Sequence, residues 1–169
     1  MKTRLCLVLL VDGVLNCIAQ SRRTARLEGE YYVRAYARYY NVPARFVRAI
    51  VEQESSWRPC AVSPKGAAGL MQLMPVTAAR QGVRDRCNIS ENISGGVRYV
   101  AWLMRKFGGD LRLVAAAYLA GEEVIARRGL LYRNLEVVAY VSRIRKSYQR
   151  QLAEDSERPV LAVRSRTVR

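Results

Sequence analysis

The sequence predicts an all-α fold, with room for no more than a tiny β element, on three observations. From Arg22 onward no alternating apolar–polar run extends beyond a few residues, and apolar residues recur three and four apart. Prolines, glycines and capping residues then cut the chain into pieces of helical length. A chain of 169 residues with 50% hydrophobic content is sufficient for one domain around one core. No internal repeat is visible.

The ends differ from the middle. Met1 to Gln20 carries Lys2 and Arg4, then apolar runs from Leu5 to Val11 and from Val14 to Ala19, broken by Asp12. It is too short to span a bilayer and has the form of a secretory leader cut near Ala19, which predicts export. A mis-assigned start or a retained, uncleaved anchor is the alternative. Val14-Leu15-Asn16-Cys17 has the shape of a lipobox, although asparagine fits poorly before the cysteine.

Leu27 to Tyr40 reads as the first helix of the domain, ended by Asn41 and Pro43, and its tyrosines read as packing. Pro43 to Ser55 is the second, because Pro43 pre-sets a helical φ and no proline or glycine follows until Pro59. Pro75 starts a short helix that Gly82 stops. Ser90 is expected to cap a helix reaching Phe107, which Gly108-Gly109 terminates. Asp110 caps the next, with Leu111, Val114, Ala115 and Tyr118 on one face. Asn134 opens the last long helix, where Val137, Val141, Ile144, Tyr148 and Leu152 recur at helical spacing. Beyond Ala153 the pattern dissolves, so residues 22–152 form the predicted domain and 153–169 a charged, mobile tail.

One carboxylate stands out within this scheme. Phe46, Ile50 and Glu54 are spaced four apart, with Trp57 three further on, so Glu54 emerges on the face that Phe46 and Ile50 bury. Glu52 points elsewhere. A carboxyl held against apolar groups loses hydration in its charged form, so its pKa rises and it stays protonated as a general acid must. The competing reading is a helix-end glutamate hydrogen-bonded by backbone.

Composition narrows the chemistry further. The chain has no histidine, which excludes Ser-His-Asp and Cys-His nucleophilic sites and any His-ligated metal. No metal and no cofactor are expected. Carboxylates, hydroxyls, tyrosines or amines must carry catalysis, and glycoside cleavage suits that set, because a carboxylic acid protonates the leaving oxygen there.

The stretch Ala49-Ile50-Val51-Glu52-Gln53-Glu54-Ser55-Ser56-Trp57, followed after a polar loop by Gly69-Leu70-Met71-Gln72-Leu73-Met74-Pro75, resembles the motifs of the soluble lytic transglycosylases. The likeness continues through Asn92-Ile93, Gly96, Ala117-Tyr118, Ala120-Gly121 and Tyr140-Val141, so it covers roughly Asn41 to Ser147 in the family's order. The resemblance implies a lysozyme-like domain that cuts peptidoglycan between N-acetylmuramic acid and N-acetylglucosamine, in the periplasm or cell envelope. It implies Glu54 as the single catalytic residue. In that family the C6 hydroxyl of the muramic ring attacks its own anomeric carbon and leaves a 1,6-anhydro product. An intramolecular nucleophile reaches an effective molarity of about 10⁵ to 10⁸ M, which removes the need for a second carboxylate. A lysozyme-type hydrolase and a non-catalytic basic binding domain are the alternatives.

The same resemblance assigns substrate-binding roles to Ser55, Gly69, Met71, Gln72, Tyr118 and Tyr140. Ser55 is implied to stand beside the acid, Met71 and Gln72 to line the cleft, and Gly69 to let the glycan approach the backbone. The tyrosines are implied to flank glutamate and sugar. Read from sequence alone, Tyr118 and Tyr140 lie on apolar stripes and are equally core residues, Gly66 and Gly69 are turn glycines, and Ser55 satisfies a helix end. The chain also departs from the pattern. Leu119 stands where the family usually has asparagine, Glu122 where it has proline, and Val137 where a threonine is common.

Twenty-nine Lys and Arg against fourteen Asp and Glu give a net charge of +15, the electrostatic footprint of a nucleic-acid binder as much as of a wall enzyme. The arginines are spread along the chain with no helix-turn-helix, RNP or zinc-knuckle signature, so nucleic acid is not the expected partner. Peptidoglycan, whose stem peptides carry carboxylates, is, and a secretion apparatus of the envelope is a second candidate; the protein is expected to be a monomer. Removal of the leader takes Cys6 and Cys17 with it. Cys60 and Cys87 then remain as the only pair, flanking the Gly-Leu-Met-Gln segment, and a disulfide between them is predicted; two unrelated thiols are the alternative.

Overall fold

In the computed structural model the backbone is described for residues 2–164 and the side chains for residues 20–156. No proline precedes Pro43, and one long helix, α1 (Lys2–Tyr39), fills that stretch. Asn41, left-handed at φ 54°, and Pro43 redirect the chain into α2 (Ala44–Ser55). Then follow α3 (Pro75–Arg80), α4 (Ile89–Lys106), α5 (Leu111–Ala120), α6 (Glu122–Arg128), a single 3-10 turn over Gly129–Leu131, and α7 (Leu135–Arg164). The β element is reduced to two isolated antiparallel bridges, Val62 with Ala68 and Ala68 with Leu73.

Helix α2 is the centre of the packing, held between α1 and α7, while α4 lies on α1 and α5 lies on α7. Its stripe of Phe46, Val47, Ala49, Ile50 and Val51 is buried. Facing it are Val33 of α1, Leu70 and Met71 of the loop before α3, Ile93, Val97, Val100 and Leu103 of α4, Val114 of α5 and Ile144 of α7. Each such side chain contributes about 1.5–3 kcal/mol by leaving water. The helix therefore has little freedom to shift, and its last turn is a firm platform.

Several boundaries differ from those the sequence predicts. The long N-terminal helix begins well before Leu27. The cap of α4 is Asn88, whose side chain accepts from the Glu91 amide at 2.9 Å, rather than Ser90; Asn88 and Glu91 have the spacing of a capping box. Asp110 caps α5 through the Arg112 amide, and Asn134 accepts from the amides of Glu136 and Val137 at the head of α7. Helix α6 was not anticipated, being only seven residues long. The segment from Glu154, expected to be a mobile tail, continues α7 as far as Arg164. Arg45 Nε donates to Asp155 at 2.9 Å and fastens that extension to α2. The leader and lipobox expectations fall on residues 1–19, whose side chains lie outside the described residues. Among the described residues no helix is long and apolar enough to cross a membrane.

Cys60 and Cys87 form a disulfide with Cα atoms 4.6 Å apart. It ties the loop after α2 to the loop before α4. Closing a loop of this size contributes about 3–4 kcal/mol in the chain-entropy account.

Candidate active site

Glu54 sits in the last turn of α2 on the same side as Phe46 and Ile50, and is half-buried. Tyr140, itself buried on α7, donates its hydroxyl to Glu54 Oε1 at 2.5 Å. Burial raises the Glu54 pKa above its ordinary 4.5, and the Tyr140 hydrogen bond opposes the rise without cancelling it. The charge of Glu54 is felt in turn by two tyrosines. Burial first, and Glu54 second, push the hydroxyls of Tyr118 and Tyr140 well above 10, so both remain protonated donors.

Glu52, two residues earlier, has a different setting. It accepts from Ser147 Oγ at 2.5 Å and from Arg150 at 2.9 Å on both oxygens, with its side chain 41% exposed. Two carboxylates of one helix thus divide between an ion pair near solvent and an acid held by a neutral phenol.

The chain reverses directly after the acid. Ser56 and Trp57 both adopt left-handed backbone, at φ 49° and 63°, a conformation that costs a non-glycine residue about 1–3 kcal/mol. The reversal drives the Trp57 ring into the core, where it is 7% exposed. Ser55 is buried and donates to the Val51 carbonyl at 3.1 Å, so its hydroxyl is engaged within α2 rather than by the acid.

The glycine-bounded turn beneath the acid is held by side chains remote in sequence. Ala68 and Leu73 exchange backbone hydrogen bonds at 3.1 and 2.9 Å. Gln72, left-handed at φ 45°, donates its amide to the carbonyls of Ala61 at 2.7 Å and Gly69 at 2.9 Å. Gly69 has φ 86°, and a Cβ there would overlap the Arg86 carbonyl and the Asn92 amide. Asn92, fully buried on α4, accepts from the Met71 amide at 2.8 Å and donates to the carbonyls of Ala68 and Arg86 at 3.0 and 2.9 Å. Both of its amide protons and its carbonyl oxygen are thereby committed to loop backbone.

These contacts redistribute the roles the sequence suggests. The Met71 side chain is in the core, against Gly96, and does not line an open cleft; its carbonyl receives the Tyr118 hydroxyl at 2.7 Å. Gln72 braces the turn. Gly69 is required by packing on Asn92 and Arg86. Tyr140 alone among the predicted residues touches Glu54 by hydrogen bond, and Tyr118 joins the turn to the acid's surroundings. The sequence reading gives no site role to Asn92, although it lies in the quoted motif, nor to Tyr99 and Trp102, and it notes Glu122 only as a departure from the family pattern; the last three continue from Tyr118 along the surface. Among the described residues no group of His, Cys, Asp and Glu is arranged to hold a metal ion.

The chain is 34% identical over 130 residues to a putative soluble lytic murein transglycosylase of Haemophilus influenzae, covering 70% of this chain and 22% of that protein. It is 48% identical over 62 residues to membrane-bound lytic murein transglycosylase F of Citrobacter koseri, covering 37% of this chain and 12% of the relative. The chain therefore spans less than a quarter of either relative's length. The crystal structure of the 70 kDa soluble lytic transglycosylase from Escherichia coli superposes with a TM-score of 0.58 at 27% identity, over 67% of this chain and 22% of that one. Residues 31–137 match the family described as Transglycosylase SLT domain, and the chain belongs to that family.

Proposed function

We propose that this chain is a peptidoglycan lytic transglycosylase that cuts the β-1,4 bond between N-acetylmuramic acid and N-acetylglucosamine, with Glu54 as its one catalytic carboxyl. The observation that carries the reading is the half-buried Glu54, raised in pKa by burial and oriented by the Tyr140 hydroxyl at 2.5 Å. Its similarity to lytic murein transglycosylases supports the substrate class. Protonated Glu54 gives its proton to the glycosidic oxygen as the C1–O bond breaks, and the N-acetylglucosamine side leaves as an alcohol. The resulting carboxylate then takes the proton of the muramic C6 hydroxyl as that oxygen bonds to C1. The ring closes and Glu54 is regenerated. Tyr140 donates to the carboxylate throughout, and Tyr118, anchored on the Met71 carbonyl, borders the same space. The leader-like N-terminus supports export to the periplasm or envelope, where glycan strands are the partner and a secretion apparatus the second candidate.

Mass spectrometry of muropeptides released from purified sacculi tests the reading. Anhydro products, one water lighter than hydrolysed ones, are expected, and their yield should collapse in Glu54→Gln. Reducing-end products would identify a hydrolase instead. An unimpaired Glu54→Gln protein would remove Glu54 from the mechanism.

A further inference from the structure

The surface beside Tyr118 carries a second constellation. Tyr118 and Tyr99 lie with ring centroids 5.5 Å apart, and Tyr99 stacks on Trp102 at 6.0 Å with planes 13° apart. The three rings make a row that starts next to the catalytic carboxyl and ends at Trp102, which is 36% exposed. Around its outer half lies a cavity of about 260 Å³ lined by Thr77, Arg80, Gln81, Tyr99, Trp102 and Glu122. The mechanism uses none of these groups.

Glu122 is the unusual member. Its side chain is only 21% exposed, and it stands at one of the positions where the chain departs from the family's Gly-Pro sequence. Tyr99 donates to its Oε2 at 3.0 Å. Its Oε1 has the guanidinium of Arg80 at 3.9 Å, beyond hydrogen-bond distance, on an arm that is 70% exposed. One carboxylate oxygen is therefore held in place by a phenol while the other faces the cavity with acceptor capacity to spare. Aromatic faces beside a fixed carboxylate and flanking amide and hydroxyl groups suit a pyranose, which offers C–H faces to rings and O–H and N–H groups to acceptors.

We infer that Trp102, Tyr99 and Glu122 form a glycan-binding subsite, in which a sugar of the strand beyond the one being cut lies against the Trp102 ring and donates a hydroxyl or acetamido N–H to Glu122. This deepens the proposed function and rests on it for the identity of the strand. Tyr99 is a positioning residue for Glu122, and Arg80 closes the outer wall. Lys106 Nζ, 5.0 Å from the Trp102 ring centroid and paired with Glu123 at 2.9 Å, shares that ring and moves aside where a sugar lies on its face.

The chain contains two tryptophans, so the part of an emission change on ligand addition that disappears in Trp102→Phe reports Trp102. Glu54→Gln full-length protein is titrated with β-1,4 N-acetylglucosamine oligomers and with glycan strands from sacculi, by fluorescence and by calorimetry. A saturable change in Trp102 emission is expected. In the same background Trp102→Ala and Glu122→Gln should each weaken binding roughly tenfold, with Trp102→Phe retaining most of it. Thermal melts check that Trp102→Ala, which loses its stacking on Tyr99, is still fully folded at the assay temperature. In the Glu54 protein, Trp102→Ala should raise KM on sacculi more than it lowers kcat. Parent-like affinity and KM in Trp102→Ala and Glu122→Gln would overturn the subsite while leaving anhydro-product formation standing. A Glu54 protein that releases no muropeptide would instead overturn the activity, and fluorescence would still decide whether sugar binds at Trp102.

Discussion

The two halves of the motif, the end of α2 and the turn from Gly69 to Leu73, are adjacent in space and opposite in character. Glu54 is a polar group under partial burial with one neutral hydrogen-bond partner, a setting that favours its protonated form and weakens the fold whenever it ionises. The turn is saturated with hydrogen bonds: Asn92 supplies three, Gln72 two and Tyr118 one. One half holds reactivity that stability does not require, and the other holds the geometry in which that reactivity is useful. Substitutions should separate them.

The largest effect is expected at Glu54. Glu54→Gln keeps the size and the Tyr140 contact but cannot give up a proton, so the rate of muropeptide release should fall by about 10² to 10⁴, with stability unimpaired. The pH dependence sharpens this. Below about pH 4.5 the carboxyl is protonated in both folded and unfolded chains and affects neither. As pH rises through that value the unfolded chain releases its proton while the folded chain retains it, so folding stability declines until pH passes the raised folded value. Wild type should therefore lose stability between acid and neutral pH by an increment missing from Glu54→Gln. Denaturant titrations of both proteins across that range measure it. A variant less stable than wild type at pH 7 would break the contrast between the two halves.

Asn92→Ala addresses the other half. It strands the Met71 amide and the carbonyls of Ala68 and Arg86 in the interior; at about 1–3 kcal/mol for each buried unsatisfied group, with partial relaxation, a loss of about 3–5 kcal/mol is expected. Activity should fall with it, as the Tyr118 anchor shifts. Chemical denaturation gives the first quantity and muropeptide release the second. Loss of activity with wild-type stability would transfer Asn92 to the chemical half.

The disulfide should act on stability alone and by a smaller amount. Replacing Cys60 and Cys87 by serine is expected to lower unfolding free energy by about 3 kcal/mol, since it frees the loop carrying the turn only in the unfolded chain. Rates measured well below the melting temperature should stay close to wild type. A large drop in rate at full folding would show that the bridge also shapes the turn.

What was legible in the sequence follows the same division. Helices announced themselves through local signals: Pro43 and Pro75 at starts, Asp110 and Asn134 as caps, and apolar spacing along α2, α5 and α7. The placement of Glu54 on the buried face of α2 came from that spacing too. The turn was not legible in the same way, because its order comes from partners distant along the chain. Asn92 and Tyr118 reach Met71 only once α4 and α5 have packed, and no local pattern distinguishes a methionine that lines a cleft from one whose carbonyl is the useful atom. The α4 cap was misplaced by two residues because Asn88 and Ser90 are both good caps, and the hydrogen bond to the Glu91 amide selects Asn88. The extension of α7 past Leu152 is contacted by Arg45 of α2 through Asp155, again a partner outside the local window.

The smallest and most specific effect is expected where the two motif halves meet α7. Tyr140→Phe removes a single hydroxyl from a buried ring, so the packing of α2 on α7 should survive with little loss of volume. The deleted hydrogen bond favours the ionised form of Glu54, and without it the carboxyl pKa moves further up. Two consequences oppose each other. The acid is protonated over a wider range, which shifts the basic limb of the pH–rate profile to higher pH. The carboxylate left after proton transfer is less well stabilised and less well aimed, which lowers the maximal rate; a hydrogen bond to a charged group of about 1.5 kcal/mol corresponds to roughly a tenfold loss. The shift and the loss should appear together in Tyr140→Phe, and Glu52→Gln, whose partners are Arg150 and Ser147, should show neither. A tenfold loss with an unmoved basic limb would mean that Tyr140 orients the substrate rather than tuning the acid.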